Sequence, residues 1–297
     1  MVKERIQKYT KILLEDYKRG RDIDEIDTFT PPDKERIVKI LLQLQNLIFP
    51  GYFKNATHHS YTVEGNLTVQ LEDLVYHLSK QISLVLKYLP EYADREGCDL
   101  VRVGEEYALR LVDRLPAIRA LMNTDLDAAY NGDPAAFNKS EIILSYPGLF
   151  AIMVNRIAHE LYEMQIPLLP RMMTEYAHAC TGIDIHPGAK LGSYFFIDHG
   201  TGIVIGETAV IGDHVKIYQG VTIGALSTRD GQSLHGKKRH PTLESRVTVY
   251  ANASILGGDT VIGEGAVIGG NAFITSSVAP GTKVSIKNPE HNFKVGK

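Results

Sequence analysis

Asp198-His199-Gly200-Thr201-Gly202 sets an imidazole beside a carboxylate in a glycine-flanked break, and Asp184 supplies a second carboxylate shortly upstream. An Asp that holds one imidazole N–H fixes the tautomer and raises the basicity of the other nitrogen, as a general base requires. A hydrogen-bonded surface histidine is the plainer reading, and spacing alone favours it. A second polar stretch, ALSTRDGQSLHGKKRHPTLESR from Ala225, carries Arg229, Lys237, Lys238, Arg239 and His240. Extruded loops commonly carry binding residues, and an Arg can pair with a carboxylate bidentately.

Both stretches interrupt a six-residue rhythm. Apolar residues recur at Ile185, Leu191, Ile197 and Ile203, then at Ile205, Ile211, Ile217 and Ile223, then at Tyr250, Leu256, Ile262, Ile268 and Ile274. Small residues keep the same beat two places earlier, as at Ser254, Thr260, Ala266 and Ala272. A period of six fits neither a helix nor a half-buried strand. It marks a hexapeptide β-helix, in which each hexad forms one side of a triangular coil. Three hexads make one coil, so Asp184 and His199 are expected near one corner on successive coils. The frame slips by two between Ile203 and Ile205, beside His199.

Upstream of residue 181 the apolar spacing is helical. Helices are expected after Pro31-Pro32, with Thr30 as cap and Pro50-Gly51 as stop, and over 66–88, 101–123, 147–163 and 168–179. The segment LDAAYNGDPAAFNKSE from Leu126 reads as a polar break. The expected fold is therefore α+β: an all-helical N-terminal domain, 1–180, followed by a left-handed parallel β-helix, 181–286, with a loop insert at 225–242 and a short tail, 287–297. A net charge of −3 gives no case for nucleic acid or a membrane surface. The charged start lacks the apolar core of a signal peptide. Cys98 and Cys180 show neither metal spacing nor a disulfide framework, which points to a reduced, cytoplasmic setting. His58, His59, His77, His159, His178, His214 and His291 read as surface or core residues.

The stretch from Gly182 to Gly224 resembles serine O-acetyltransferases. The family's markers stand in order: Asp184-Ile-His-Pro, Asp198-His199 with Gly-Thr-Gly, Gly206-Glu207-Thr208, and Arg239-His240-Pro241. Asp133-Pro134-Ala135 and the helix from Tyr146 are also similar. The resemblance implies acetyl transfer from acetyl-CoA, a co-substrate rather than a bound cofactor, to the hydroxyl of L-serine. His199 would be the general base and Asp184 its orienting partner. Asp133 and Asp198 would bind the serine ammonium, Arg239 its carboxylate, and His240 would touch the substrate. Gly224 and Ala251 would lie at the thioester end, with an oxyanion donor near Gly224. Glu207 fits either a substrate-side carboxylate or a solvated position on the prism face, and is secondary. No metal is implied. The family's assembly would be a homotrimer or a dimer of trimers.

The chain departs from the family after Ile223, where Gly224-Ala225-Leu226-Ser227-Thr228 begins a longer loop. Its tail ends Val-Gly-Lys rather than in the Ile that relatives insert into O-acetylserine sulfhydrylase, so that partner is not assumed. Other readings are a hexapeptide acyltransferase acting on another alcohol or amine, a zinc γ-type carbonic anhydrase using His235 and His240, and a non-catalytic scaffold.

Overall fold

A computed structural model describes residues 2–24, 31–53, 62–95 and 97–287. Thr30, His58, His59, His291 and all of the tail but Lys287 lie outside these residues. The chain divides into two compact units, residues 1–32 and 33–297. The first holds helix α1, Val2–Tyr17, in which no residue is buried.

In the second unit, α2 (Lys34–Ile48), α3 (Val63–Leu86), α4 (Cys98–Gly132), α5 (Lys139–Ser145), α6 (Pro147–Glu163) and α7 (Leu169–Thr181) precede the strands. The cap of α2 is Asp33, whose carboxylate accepts from the N–H groups of Glu35 and Arg36, in place of the expected Thr30. Its apolar stripe, Ile37, Ile40, Leu44 and Leu47, is buried as helical spacing requires. The expected break at Leu126 is corrected. Helix α4 runs on to Gly132, because Leu126 and Ala129 continue its buried stripe, and the chain breaks only at Asp133. Among the described residues no single helix is long and apolar enough to cross a membrane; α5 with α6 has the length but bends by 71°, and α6 is largely buried in protein.

From Asp184 the chain winds as a left-handed parallel β-helix with three faces. Face one stacks β1 (Asp184–Ile185), β4 (Val204–Ile205), β7 (Thr222–Gly224), β10 (Ser254–Leu256) and β13 (Phe273–Ile274). Face two stacks β2 (Lys190–Leu191), β5 (Val210–Ile211), β8 (Thr242–Leu243) and β11 (Val261–Ile262). Face three stacks β3 (Phe196–Asp198), β6 (Lys216–Tyr218), β9 (Thr248–Val249), β12 (Val267–Ile268) and β14 (Lys283–Val284). Each face has an inward column, such as Ile197, Ile217, Val249 and Ile268 on face three. At roughly 1.5–3 kcal/mol per buried aliphatic side chain, these columns dominate the coil's stability.

The third hexad run needs correction by one residue. Val249 and Ile255 point inward, in register with Ile217 and Ile223. Tyr250 is 44% exposed and stacks on Tyr218 outside the prism, centroids 5.0 Å apart. Ala253, not Ser254, fills the corner. The ladder with the preceding coil fixes which side faces in, and Gly257, at φ +103°, absorbs the extra residue before Ile262. Several non-glycine corner residues, among them His199 (φ +59°), Asn252 and Asn271, sit in the left-handed region, where His and Asn are over-represented.

A buried ion pair joins helices to coil. Arg156 of α6 donates to both Asp125 oxygens of α4 at 2.7 and 2.8 Å, and to the Leu191 and Gly192 carbonyls. Asp125 also accepts from the Phe195 N–H at 2.9 Å. Burial pushes the Asp125 carboxyl upward against the pull of Arg156. Removing one partner strands a buried charge, so Arg156→Met should lose about 3–5 kcal/mol in urea unfolding, whereas Asp125→Asn/Arg156→Met should recover at least half of that loss.

Candidate functional site

The candidate residues fall on two edges of the prism. The first edge joins face three to face one. It stacks the turns at Thr201, Gly220, Asn252 and Asn271, each linked to the next by a backbone hydrogen bond. His199 lies at its start, its side chain 70% exposed, with Nε2 3.8 Å from Asp198 Oδ1. Ala251 lies two coils on.

Helices α4 and α6 pack on β3 and bring two further side chains to this edge. Asp133, the first residue past α4, accepts from the Tyr146 hydroxyl at 2.6 Å and the Ala135 N–H at 2.8 Å. These bonds, with Lys216 and His199 nearby, hold its carboxyl below the usual range, while Tyr146 is pushed up to about 12 by the Asp133 carboxylate. Asp133 is therefore a carboxylate and Tyr146 a neutral donor at any ordinary pH. Lys216 donates to the Gly132 carbonyl at 2.8 Å and stands 3.7 Å from Asp198. Asp133, Asp198 and His199 thus converge, joined by Tyr146 and Lys216.

The second edge joins face one to face two, and there two markers interlock. Gly206 leaves room for a ring: a Cβ would come within 2.1 Å of the His240 imidazole. The Thr208 N–H donates to His240 Nδ1 at 3.0 Å, and Thr208 Oγ1 accepts from the N–H groups of Arg239 and His240. Since a backbone N–H can only donate, Nδ1 accepts and the neutral ring carries its proton on Nε2. Burial, with the Arg239 charge, lowers the His240 pKa to about 4.

Glu207, for which a solvated position was one of two expectations, is 9% exposed. It binds the Arg239 guanidinium and accepts from the Tyr162 hydroxyl at 2.9 Å. Burial raises its carboxyl, but Arg239 and Tyr162 outweigh that and hold it low. Lys238 spends its ammonium on the Thr208 and Pro241 carbonyls, and burial lowers its pKa. A cleft of about 210 Å³ opens beside Arg239, floored by Gly257 and Gly258 and walled by Leu226 of the long loop. Gly224 ends β7 on this edge, its carbonyl accepting from the Gly257 N–H. Gly224 and Ala251 therefore stand on different edges.

Asp184 faces outward on face one between the two edges. It makes no hydrogen bond or ion pair with His199; the carboxylate at the imidazole is Asp198. Asp184 instead joins Glu175 and His178, the donor atoms of all three lying within 4.8 Å of one another. Arg171 already pairs with Glu175 there at 2.5 Å. His235 is exposed on the loop while His240 is buried and bound to Thr208, so these two are not gathered as metal ligands.

Tyr146 was marked only as the start of a family-like helix, and Tyr162 and Lys216 carried no signal of their own in the sequence. Glu207 and Thr208 did, through their place in the Gly-Glu-Thr marker.

Over 277 residues the chain is 42% identical to the plasmid serine acetyltransferase of Synechococcus elongatus, a match covering 87% of this chain and 83% of that protein. The chain belongs to the serine acetyltransferase family. Serine acetyltransferase 1 of Entamoeba histolytica, solved in complex with L-cysteine, superposes with a TM-score of 0.72 at 35% identity over 92% of this chain and 94% of that one. The soybean enzyme, complexed with serine, gives 0.55 at 28% identity over 87% and 98%. No family model matches the chain. Family membership makes the protein an acyltransferase and accounts for the order of its markers.

Acid should unfold the protein through His240. Its folded pKa lies below the ordinary 6.5, so the unfolded chain takes up the proton first. Its contribution to stability is full above pH 6.5, declines as pH falls toward 4, and amounts to roughly 3 kcal/mol. Urea unfolding across that window should show the decline, and His240→Gln should make it shallower.

Proposed function

We propose that the chain transfers the acetyl group of acetyl-CoA to the hydroxyl of L-serine, yielding O-acetyl-L-serine and CoA, the first step of cysteine synthesis, as a cytoplasmic enzyme. The observation that carries this reading is the convergence of Asp133 and Asp198 on an exposed imidazole, His199. Two carboxylates suit an ammonium, and a hydroxyl placed next to them lies within reach of the ring.

In this reading His199 takes the hydroxyl proton as the serine oxygen attacks the thioester carbonyl. The tetrahedral intermediate collapses with departure of the CoA sulfur, which recovers the proton. A serine hydroxyl is a poor nucleophile at neutral pH, and a positioned base is worth roughly 10²–10⁴ in rate. The thioester is already activated, so the reading calls for no covalent enzyme intermediate. Arg239, held in place by Glu207, would receive the serine carboxylate, and His240 would present Nε2–H to the substrate. Gly224 and Ala251 would flank the acetyl-CoA thioester. Asp184 would orient His199 once substrate is bound.

The two half-sites lie on different edges of one prism. A threefold assembly would set the His199 edge of one copy against the Arg239 edge of the next and complete the site between them. This supports a homotrimer, with the helices available to join two trimers.

The assay is release of free CoA from acetyl-CoA with serine, then with a panel of other alcohols and amines. Serine should be strongly preferred; preference for another acceptor would replace it in the reading. His199→Ala should lower kcat by at least ~10²-fold with the coil intact by circular dichroism. Asp184→Asn should lower it less, and the double variant should lose no more than His199→Ala alone; additive losses would mean that Asp198, the carboxylate already beside the ring, does the orienting instead. Arg239→Lys, which keeps a charge for Glu207 but loses the fork, should raise KM for serine about tenfold or more and leave KM for acetyl-CoA unchanged. A change confined to acetyl-CoA would move Arg239 to the cofactor side.

A further inference from the structure

The place that would hold the substrate ammonium already contains an ammonium. Lys216 leaves the outer side of β6, in register with Phe196 of the coil before it. Its Nζ donates to the Gly132 carbonyl at 2.8 Å, stands 3.7 Å from Asp198 Oδ2, and lies 4.8 Å from the ring centres of both Phe196 and Tyr218. A lysine held by a carbonyl, a carboxylate and two ring faces is a fixed charge rather than a solvated one. It bridges the two carboxylates, since Gly132 is the residue before Asp133 and Asp198 is its ion-pair partner.

We propose that Lys216 is a positioning residue that sets the acceptor pocket at one net negative charge, fixing Asp198 and the Asp133 turn and leaving a single unmet charge for one substrate ammonium. The inference rests on the acetyl-transfer reading above. With Lys216 in place, the two carboxylates offered to the substrate, Asp133 and Asp198, are offset by one ammonium, and the incoming substrate ammonium brings that count to zero. Without it, two uncompensated carboxylates face the imidazole and favour its protonated form, which is useless as a base.

The titratable groups beside His199 come from four elements, whereas Asp184 of β1 with Glu175 and His178 of α7 forms a separate cluster on face one with no hydrogen bond or ion pair to the ring. Asp198 lies on its own strand, Asp133 at the end of α4, Tyr146 at the start of α6, and Lys216 on β6. Glu141 of α5 acts on Tyr146, which stays neutral up to about pH 12. Lys216 is the one cation in this set.

The test is the pH dependence of kcat/KM for serine, measured on the full chain as wild type, Lys216→Met, Lys216→Gln and Lys216→Arg. Lys216→Gln retains a donor for the Gly132 carbonyl, and so guards against a variant that fails to fold. Either neutral variant should move the acid limb to higher pH, on the order of half a unit to one unit for a charge removed a few ångströms away in a partly exposed site. Lys216→Arg should stay within a few tenths of wild type, and KM for acetyl-CoA should not change. A neutral variant whose acid limb coincides with that of wild type overturns the proposal, even if its activity or melting temperature falls, because Lys216 would then only support the fold. If the wild type releases no CoA with serine, it is the acetyl-transfer reading that has failed. The charge balance is then read from the His199 imidazole by NMR titration, where an unchanged midpoint in the neutral variants overturns it.

Discussion

The Arg156–Asp125 pair ties two kinds of architecture that have no backbone ladder in common. Helices satisfy their own hydrogen bonds, and the coil satisfies its own between successive turns. The polar atoms at the junction, the Leu191 and Gly192 carbonyls and the Phe195 N–H, belong to neither ladder, and the ion pair supplies their partners. In a low-dielectric interior an unpaired polar group is costly and a fully bonded one is rigid. The pair therefore sets where the end of α4 lies against β3, and so where Asp133 stands relative to Asp198 and His199. Gly132 makes the approach possible: a Cβ there would come within 2.8 Å of the Phe196 ring.

The second edge is governed by a different constraint. Arg239 and His240 arrive from a long excursion, yet both are fixed by three consecutive residues of an earlier coil. Gly206 gives way to the ring, Glu207 holds the guanidinium and Thr208 holds both backbones. A guanidinium and a carboxylate neutralise each other in partial burial, and the neutral ring beside them adds no charge. This edge is thus preorganised around one guanidinium fork held by Glu207, while the other edge is organised around carboxylates. A zwitterionic amino acid has the matching polarity.

The fold was legible because a strict six-residue period admits few other structures, and the helices expected over 147–163 and 168–179 showed themselves by helical apolar spacing. The failures have physical causes. Tyr250 and Leu256 keep the six-residue count, but the ladder with Ile217 and Ile223 chose Val249 and Ile255, and periodicity within one run carries no information about register with another. The Asn131-Gly132-Asp133-Pro134 turn spread its polar signal backward over the last turns of α4, whose buried residues outweigh it. The site residues were readable as markers, but their grouping into two edges was not. Lys216 was invisible because an outward lysine on a hexad looks like any solvated residue; only the strand beneath it supplies Asp198.

Unequal coils are the most telling feature of the prism. Face one keeps its inward column whether 18 residues separate two rungs, as from Ile205 to Ile223, or 32, as from Ile223 to Ile255. The scaffold is in this sense a rack with open corners. Material enters or leaves at an edge, and the rungs above and below close over it with their spacing unchanged. Variation in such a chain is channelled to its edges, where new loops meet new ligands, while the faces stay answerable only to each other. A lineage built on this plan can exchange what it recognises without renegotiating how it folds.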